Sequence, residues 1–113
     1  MGNLTLILLD TPVKKARGLQ NMSPIPKSTL WIFTRISEGT VFHSRNVREP
    51  FDIAFLSSEG YVLEKETVYP QVQTISAPKG AEIVLESKAG EMDRIGIDAG
   101  KNINTKALLG QKG

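Results

Sequence analysis

Five side chains in this sequence have the charge and hydrogen-bonding capacity that site chemistry needs: Arg17, Arg45, Asn46, Asp52 and Glu86. An arginine fork can hold an anion and a nearby carboxylate can act as a base, so together they would make a polar pocket. The stretch "RNVREPFDIAFL", residues 45–56, sets the problem, because Asp52 stands inside an apolar run just after a patch of Arg, Asn and Glu. Two-residue alternation puts Asp52 on the strand face of Ala54 and Leu56, where a desolvated carboxylate requires a partner. Stripping one partner from a buried charged pair costs roughly 3–5 kcal/mol, so such residues matter to folding without any chemistry. Asp52 and Glu86 are therefore read first as structural polar pins, with Arg17 and Arg45 as the candidate partners of Asp52. Arg45, Asn46, His43 and Arg17 are the candidate contacts for a ligand or partner.

Other constellations carry less. His43 and Ser44 are adjacent, and adjacent strand residues point to opposite faces, so His43 is poorly placed to serve Ser44 as a base. No Gly-rich elbow surrounds Ser44. Glu64 and Glu66 in "EKE" share a strand face, and paired carboxylates can bind a cation or work as acid and base. A solvated edge face that blocks unwanted strand pairing needs the same residues. The glycines at 90, 96 and 100 lack the lysine–hydroxyl pair of a phosphate loop and are expected to serve turn geometry. The absence of cysteine excludes disulfides, thiolate nucleophiles and cysteine-ligated metals, and a single histidine excludes a His-rich site. No cofactor or metal is expected.

These residues need a scaffold, and the pattern points to a β one. The chain has 113 residues, 40% hydrophobic and 23% charged, as in an ordinary globular domain. The formal net charge is only +2 and the longest basic run is Lys14–Lys15, so no nucleic-acid partner is expected. "TLILL", "TLWIF", "EGTVF", "FDIAFL", "YVLEKETV" and "AEIVLES" read as short strands bounded by turn signals, and "IDAGKNI" as a turn into one more. "DTPVKKARGLQN" carries a helix start, with Asp10 or Thr11 as cap and Pro12 at the first helical position. "AGEMDRIG" reads as one helical turn stopped by a left-handed Gly96. The result is an all-β, single-domain sandwich or barrel, with helix confined to about residues 11–20 and 90–96. Residues 1–103 form the domain, and 104–113 are a tail that could serve as an attachment segment. Trp31, Phe33, Phe42, Ile53, Phe55, Ile83 and Leu85 are the expected core.

Taken in order, "DTPVKKARGL", "LWIF", "FHSRNVREPFDIAFLSSEGYV" and "APKGAEIVLESKAGEMDRIGIDAGKNI" resemble the family called domain of unknown function 192. Phe42, Arg45, Asn46, Pro50, Asp52, Ile53, Phe55 and Leu56 fit its central signature. Ala81, Leu85, Glu86, Ala89, Gly90, Gly96, Ile97 and Gly100 fit its closing block. The resemblance implies a jelly-roll-like β domain of bacteria, archaea and some phages, with no established activity. His43 and Ser44 stand where the family has a Trp-Met pair, and Val47 where it has Thr, so a ligand surface built on that aromatic pair would be altered here.

The "MGNLTLILLD" start has no positive leader region, and its apolar stretch is too short to span a bilayer, so the expectation is an intracellular or virion-associated protein without a signal peptide or membrane contact. Every nucleophile, metal and nucleotide template is weak. The first functional expectation is a non-catalytic interaction or structural module, with a protein partner or homo-oligomer, such as a phage virion accessory or capsid-decorating protein. The alternative is a binding domain for a small anionic ligand or glycan near Arg45 and Asn46. A hydrolase using Asp52 or the Glu64/Glu66 pair ranks last.

Overall fold

The computed structural model describes residues 4–9, 24–36, 38–44, 47–70 and 74–104, and of His43 the backbone alone. Among these residues lie the strands β1 (Thr5–Leu9), β2 (Thr29–Thr34), β3 (Val41–His43), β4 (Phe51–Leu56), β5 (Val62–Val68), β6 (Thr74–Ser76) and β7 (Ile83–Lys88). A short helix, α1, spans Glu91–Ile95. Five strands make a mixed sheet in the order β1-β2-β7-β4-β5, and β3 pairs with β6 in a small second sheet. β1 runs parallel to β2, with Thr5 opposite Thr29 and Leu9 opposite Phe33; the remaining pairings are antiparallel.

The large sheet is covered on both faces, which explains why its central strands read as nearly unbroken apolar runs. β4 is buried at all six positions, and β2 and β7 at five of six. One face gathers Trp31, Phe33, Phe51, Ile53, Phe55 and Val84 against Ile25, Val47, Ala77 and the small sheet. Phe42 of β3 makes the join: its ring stands edge-on to Phe33 at 5.5 Å and to Phe55 at 5.8 Å. The other face packs Leu30, Ile32, Ala54, Leu56 and Leu85 against Met92 of α1 and Ile97 beyond it. The architecture is thus a β sandwich of unequal sheets, with α1 as a thin third layer.

Several expectations need adjustment. Helix is present at Glu91–Ile95, inside the expected 90–96 range, whereas residues 11–20 lie outside the described residues. α1 ends on Gly96 at φ 85°, and the Ile97 N–H reaches back to the Met92 carbonyl at 2.9 Å, the wrap that a left-handed stop produces. The strand expected after "IDAGKNI" is reduced to one bridge between Tyr61 and Asn102, supported by a Val62 N–H to Lys101 carbonyl bond of 2.9 Å. Gly100 turns the chain at φ 85°, and its N–H donates to the Val62 carbonyl at 2.9 Å. β6 was not expected: three residues are too few for alternation to declare a strand. Phe42 is half-buried, because β3 lies at the sandwich margin, while the other six expected core residues are buried. The tail from residue 105 lies outside the described residues.

Candidate functional site

The two carboxylates singled out in the sequence lie on opposite faces of the large sheet. Along β4, Phe51, Ile53 and Phe55 face one core while Ala54 and Leu56 face the other, so Asp52 belongs with the latter pair. It is opposite Thr67 of β5 and Ser87 of β7. Its Oδ1 accepts the Thr67 hydroxyl at 2.8 Å, and its Oδ2 accepts the Gly90 N–H at 2.9 Å. Gly90 is the N-terminal cap of α1, so Asp52 fastens the entry of the helix to the middle of the sheet. A one-residue slip of β4 would bring a phenylalanine or isoleucine to those donors, so the contact also fixes register. With both oxygens engaged, Asp52 is poorly placed to be a base.

Its surroundings are equally structural. Lys65 of β5 pairs with Asp93 of α1, lies 3.6 Å from Asp98 and donates to the Ile97 carbonyl at 3.2 Å. The hydrogen bond to Asp93, more than the neighbouring charges, raises the Lys65 pKa. Glu91 accepts the Ser28 N–H at 2.8 Å and the Arg94 guanidinium at 2.8 Å, which ties α1 to the turn before β2. The Arg94 hydrogen bond holds the Glu91 carboxyl below its ordinary value.

Glu86 is different. On β7 it sits between Trp31 of β2 and Ile53 of β4, facing the aromatic core. The residue is 5% exposed. Among the described residues it has neither hydrogen-bond nor ion-pair partner, so it cannot be a pin in the manner of Asp52. Burial alone pushes its carboxyl up to about 8, so at neutral pH it is chiefly the uncharged acid. Two positions along the same strand face stands Lys88, whose Nζ donates to Glu49 Oε1 at 2.9 Å. Glu49 in turn accepts the Ile25 N–H at 3.3 Å through each oxygen. These contacts bring the chain before β2 and the chain before β4 over the end of the sheet that carries Glu86.

The remaining sequence candidates divide simply. Arg17, Arg45 and Asn46 lie outside the described residues, as does the His43 side chain. The chain on either side of Arg45 and Asn46 is placed: Ser44 and Val47 are both buried, and the Val47 N–H donates to the Ser44 carbonyl at 3.0 Å. Glu64 and Glu66 are exposed on edge strand β5. Among the described residues no group of three or more His, Cys, Asp or Glu is arranged to hold a metal, and no helix is long and apolar enough to cross a membrane. Sequence reading missed Lys88 and Glu49. They are 39 positions apart, and no local pattern joins them.

The model of one protein family, domain of unknown function 192 (an uncharacterized ACR), matches residues 2–105. No curated protein matches significantly. The crystal structure of a protein of unknown function from Novosphingobium aromaticivorans DSM 12444 is similar at a TM-score of 0.77 and 25% identity, over 88% of this chain and 73% of that one. A protein from Sinorhizobium meliloti 1021, provisionally described as a transcription regulator, has the same TM-score of 0.77 at 24% identity, over 88% of this chain and 79% of its own.

Proposed function

This chain belongs to the family called domain of unknown function 192, and from that premise we propose that it is a non-catalytic binding module whose recognition site is the Glu86 end of the large sheet. One observation carries the reading. Glu86 is a buried carboxyl without a partner among the described residues, whereas Asp52, equally buried, has both oxygens occupied. A fold that pairs one internal carboxylate and leaves another uncharged and unpaired keeps the second for something outside itself. The Lys88–Glu49 pair supplies polar groups beside an otherwise apolar floor. The ligand class is small and oxygen-bearing, an anion or a glycan. Among the described residues no nucleophile or free base contacts the acid, which supports binding over catalysis.

Chemical-shift mapping by NMR against a panel of small anions and sugars tests this. The expected result is perturbation of amides in β2 near Trp31, in β7 at 86–88 and at 47–49. Shifts confined to β5 or α1, or none at all, would overturn it.

Docking of a protein partner or a second copy, as in a virion assembly, is the second reading. It is favoured by β1, an edge strand without charged residues whose Ile7 is 36% exposed. The likeness to the Sinorhizobium meliloti protein, at 24% identity, carries the fold alone.

A further inference from the structure

Glu86 is one member of a row that crosses the sheet on a single face. Ile7 is opposite Trp31, Trp31 opposite Glu86, and Glu86 opposite Ile53. The Trp31 indole, like the Glu86 carboxyl, has no hydrogen-bond partner among the described residues. No unpartnered side-chain nitrogen or oxygen of the described residues is fully sealed from solvent, so the indole nitrogen and the carboxyl oxygens keep a trace of solvent contact, although their residues are only 3% and 5% exposed. Directly opposed residues on neighbouring strands have Cβ atoms roughly 5 Å apart, close enough to serve two oxygens of one small group.

Resting on the binding-module reading above, we propose that Glu86 in its acid form and the Trp31 indole N–H act as paired donors to the carboxylate of a small monoanionic ligand. The surroundings select this class. On this face β2 contributes Trp31 and Phe33, and β4 contributes Phe51, Ile53 and Phe55, so neither neighbouring strand brings a charge. The exposed Glu66 of β5 lies beyond Ile53 in the same row. On β7 itself Lys88 is the nearest cation, and it is engaged by Glu49. The side chains of Arg17, Arg45, Asn46 and His43 lie outside the described residues. A doubly charged phosphate would lose much hydration here with no free cation among the described residues in return. A sugar would want an open aromatic face, and Trp31 at 3% exposure offers none. A monocarboxylate needs only donors, and a carboxylic acid donating to a carboxylate forms a short, charge-assisted hydrogen bond.

Binding then requires the proton on Glu86. Since that group titrates near 8, it is mostly protonated at pH 7, and at pH 9 only about one molecule in ten retains the proton. The carboxylate affinity should therefore fall about tenfold between pH 7 and pH 9, with one proton taken up per ligand bound at pH 9.

Calorimetric titration of the intact chain with acetate and butyrate, with acetamide, phosphate and glucose as controls, reads both quantities when buffers of different ionisation enthalpy are used. Glu86→Gln keeps a donor and removes the titration, so its carboxylate binding should be independent of pH. Glu86→Leu and Trp31→Phe should each weaken binding at pH 7 by tenfold or more. Carboxylate binding by the parent that is flat from pH 7 to 9, or an equal slope in Glu86→Gln, would sink the acid-donor proposal. Glu86-dependent binding of phosphate or glucose in place of carboxylates would overturn the ligand class while upholding the binding-module reading. If no probe binds and Glu86→Leu is folded, both fall together.

Discussion

Replacing Glu86 by Gln should make the protein more stable, and by an amount that depends on pH. The carboxyl has an ordinary value of 4.5 and a folded-state value of about 8. Below 4.5 it is protonated in both states and contributes nothing to the pH dependence. Above 4.5 the unfolded chain releases its proton while the folded one keeps it, so stability declines as pH rises, by about 1.4 kcal/mol per pH unit, until the folded group ionises near 8. At pH 7 the accumulated cost is about 3 kcal/mol. Glutamine has nearly the same shape and no charge, so Glu86→Gln removes this term: a gain of about 3 kcal/mol at pH 7 and close to zero at pH 4. For a domain of this size the gain corresponds to a rise in Tm of roughly 10 °C at neutral pH. Urea unfolding of both proteins at unit steps from pH 4 to pH 8 measures it. A difference that stays constant across the range, or a loss of stability at pH 7, would show that the Glu86 carboxyl is ionised or partnered in the folded state. A stability gain joined to altered ligand binding is the mark of a residue retained for function at the expense of the fold.

Asp52→Ala strands the Thr67 hydroxyl and the Gly90 N–H, at about 1–3 kcal/mol for each donor left unpaired; Asp52→Asn keeps one acceptor and should cost less, as denaturant unfolding of the two variants would reveal. If Asp52→Ala folds as stably as the parent yet loses binding, Asp52 belongs to the site. Phe55→Ala removes a fully buried ring that packs edge-on to Phe42 and should cost roughly 3–5 kcal/mol; a loss below about 1 kcal/mol would contradict the packing described. Gly96→Ala meets no atom within 4 Å, so its cost reduces to the left-handed backbone, about 1–2 kcal/mol. Calorimetric melting of that variant checks this, and an unchanged Tm would refute it.

Much of the scaffold was legible because its signals are local. "FDIAFL" and "TLWIF" announced buried strands, and Gly96 announced the end of a helix. That Asp52 would need internal partners followed from its place among Ala54 and Leu56. Their identity did not, because Thr67 and the Gly90 N–H are brought to it by pairings 15 and 38 residues away in sequence. Glu86 was noticed and grouped with Asp52. Alternation in "IVLESK" puts it on the side of Val84, but nothing local says that the neighbouring strands would bring Trp31 and Ile53 instead of a cation. The β3–β6 pair was half visible, since three-residue strands carry too little pattern to be read alone.

The position of β7 has a kinetic consequence. It lies between β2 and β4, so the N-terminal β1–β2 pair and the β4–β5 hairpin have no shared hydrogen bonds until residues 83–88 are available. During synthesis the hairpin can close soon after Val68 emerges, as its contacts are short-range. β2, carrying "TLWIFT", must wait some fifty residues after its own synthesis with one edge open. At ordinary ribosomal speeds of about 5–20 residues per second that is a delay of several seconds. For that interval this apolar strand is a template for any other nascent chain. The protein's yield in a cell should therefore respond to chaperone supply and translation rate even in variants whose equilibrium stability is unchanged.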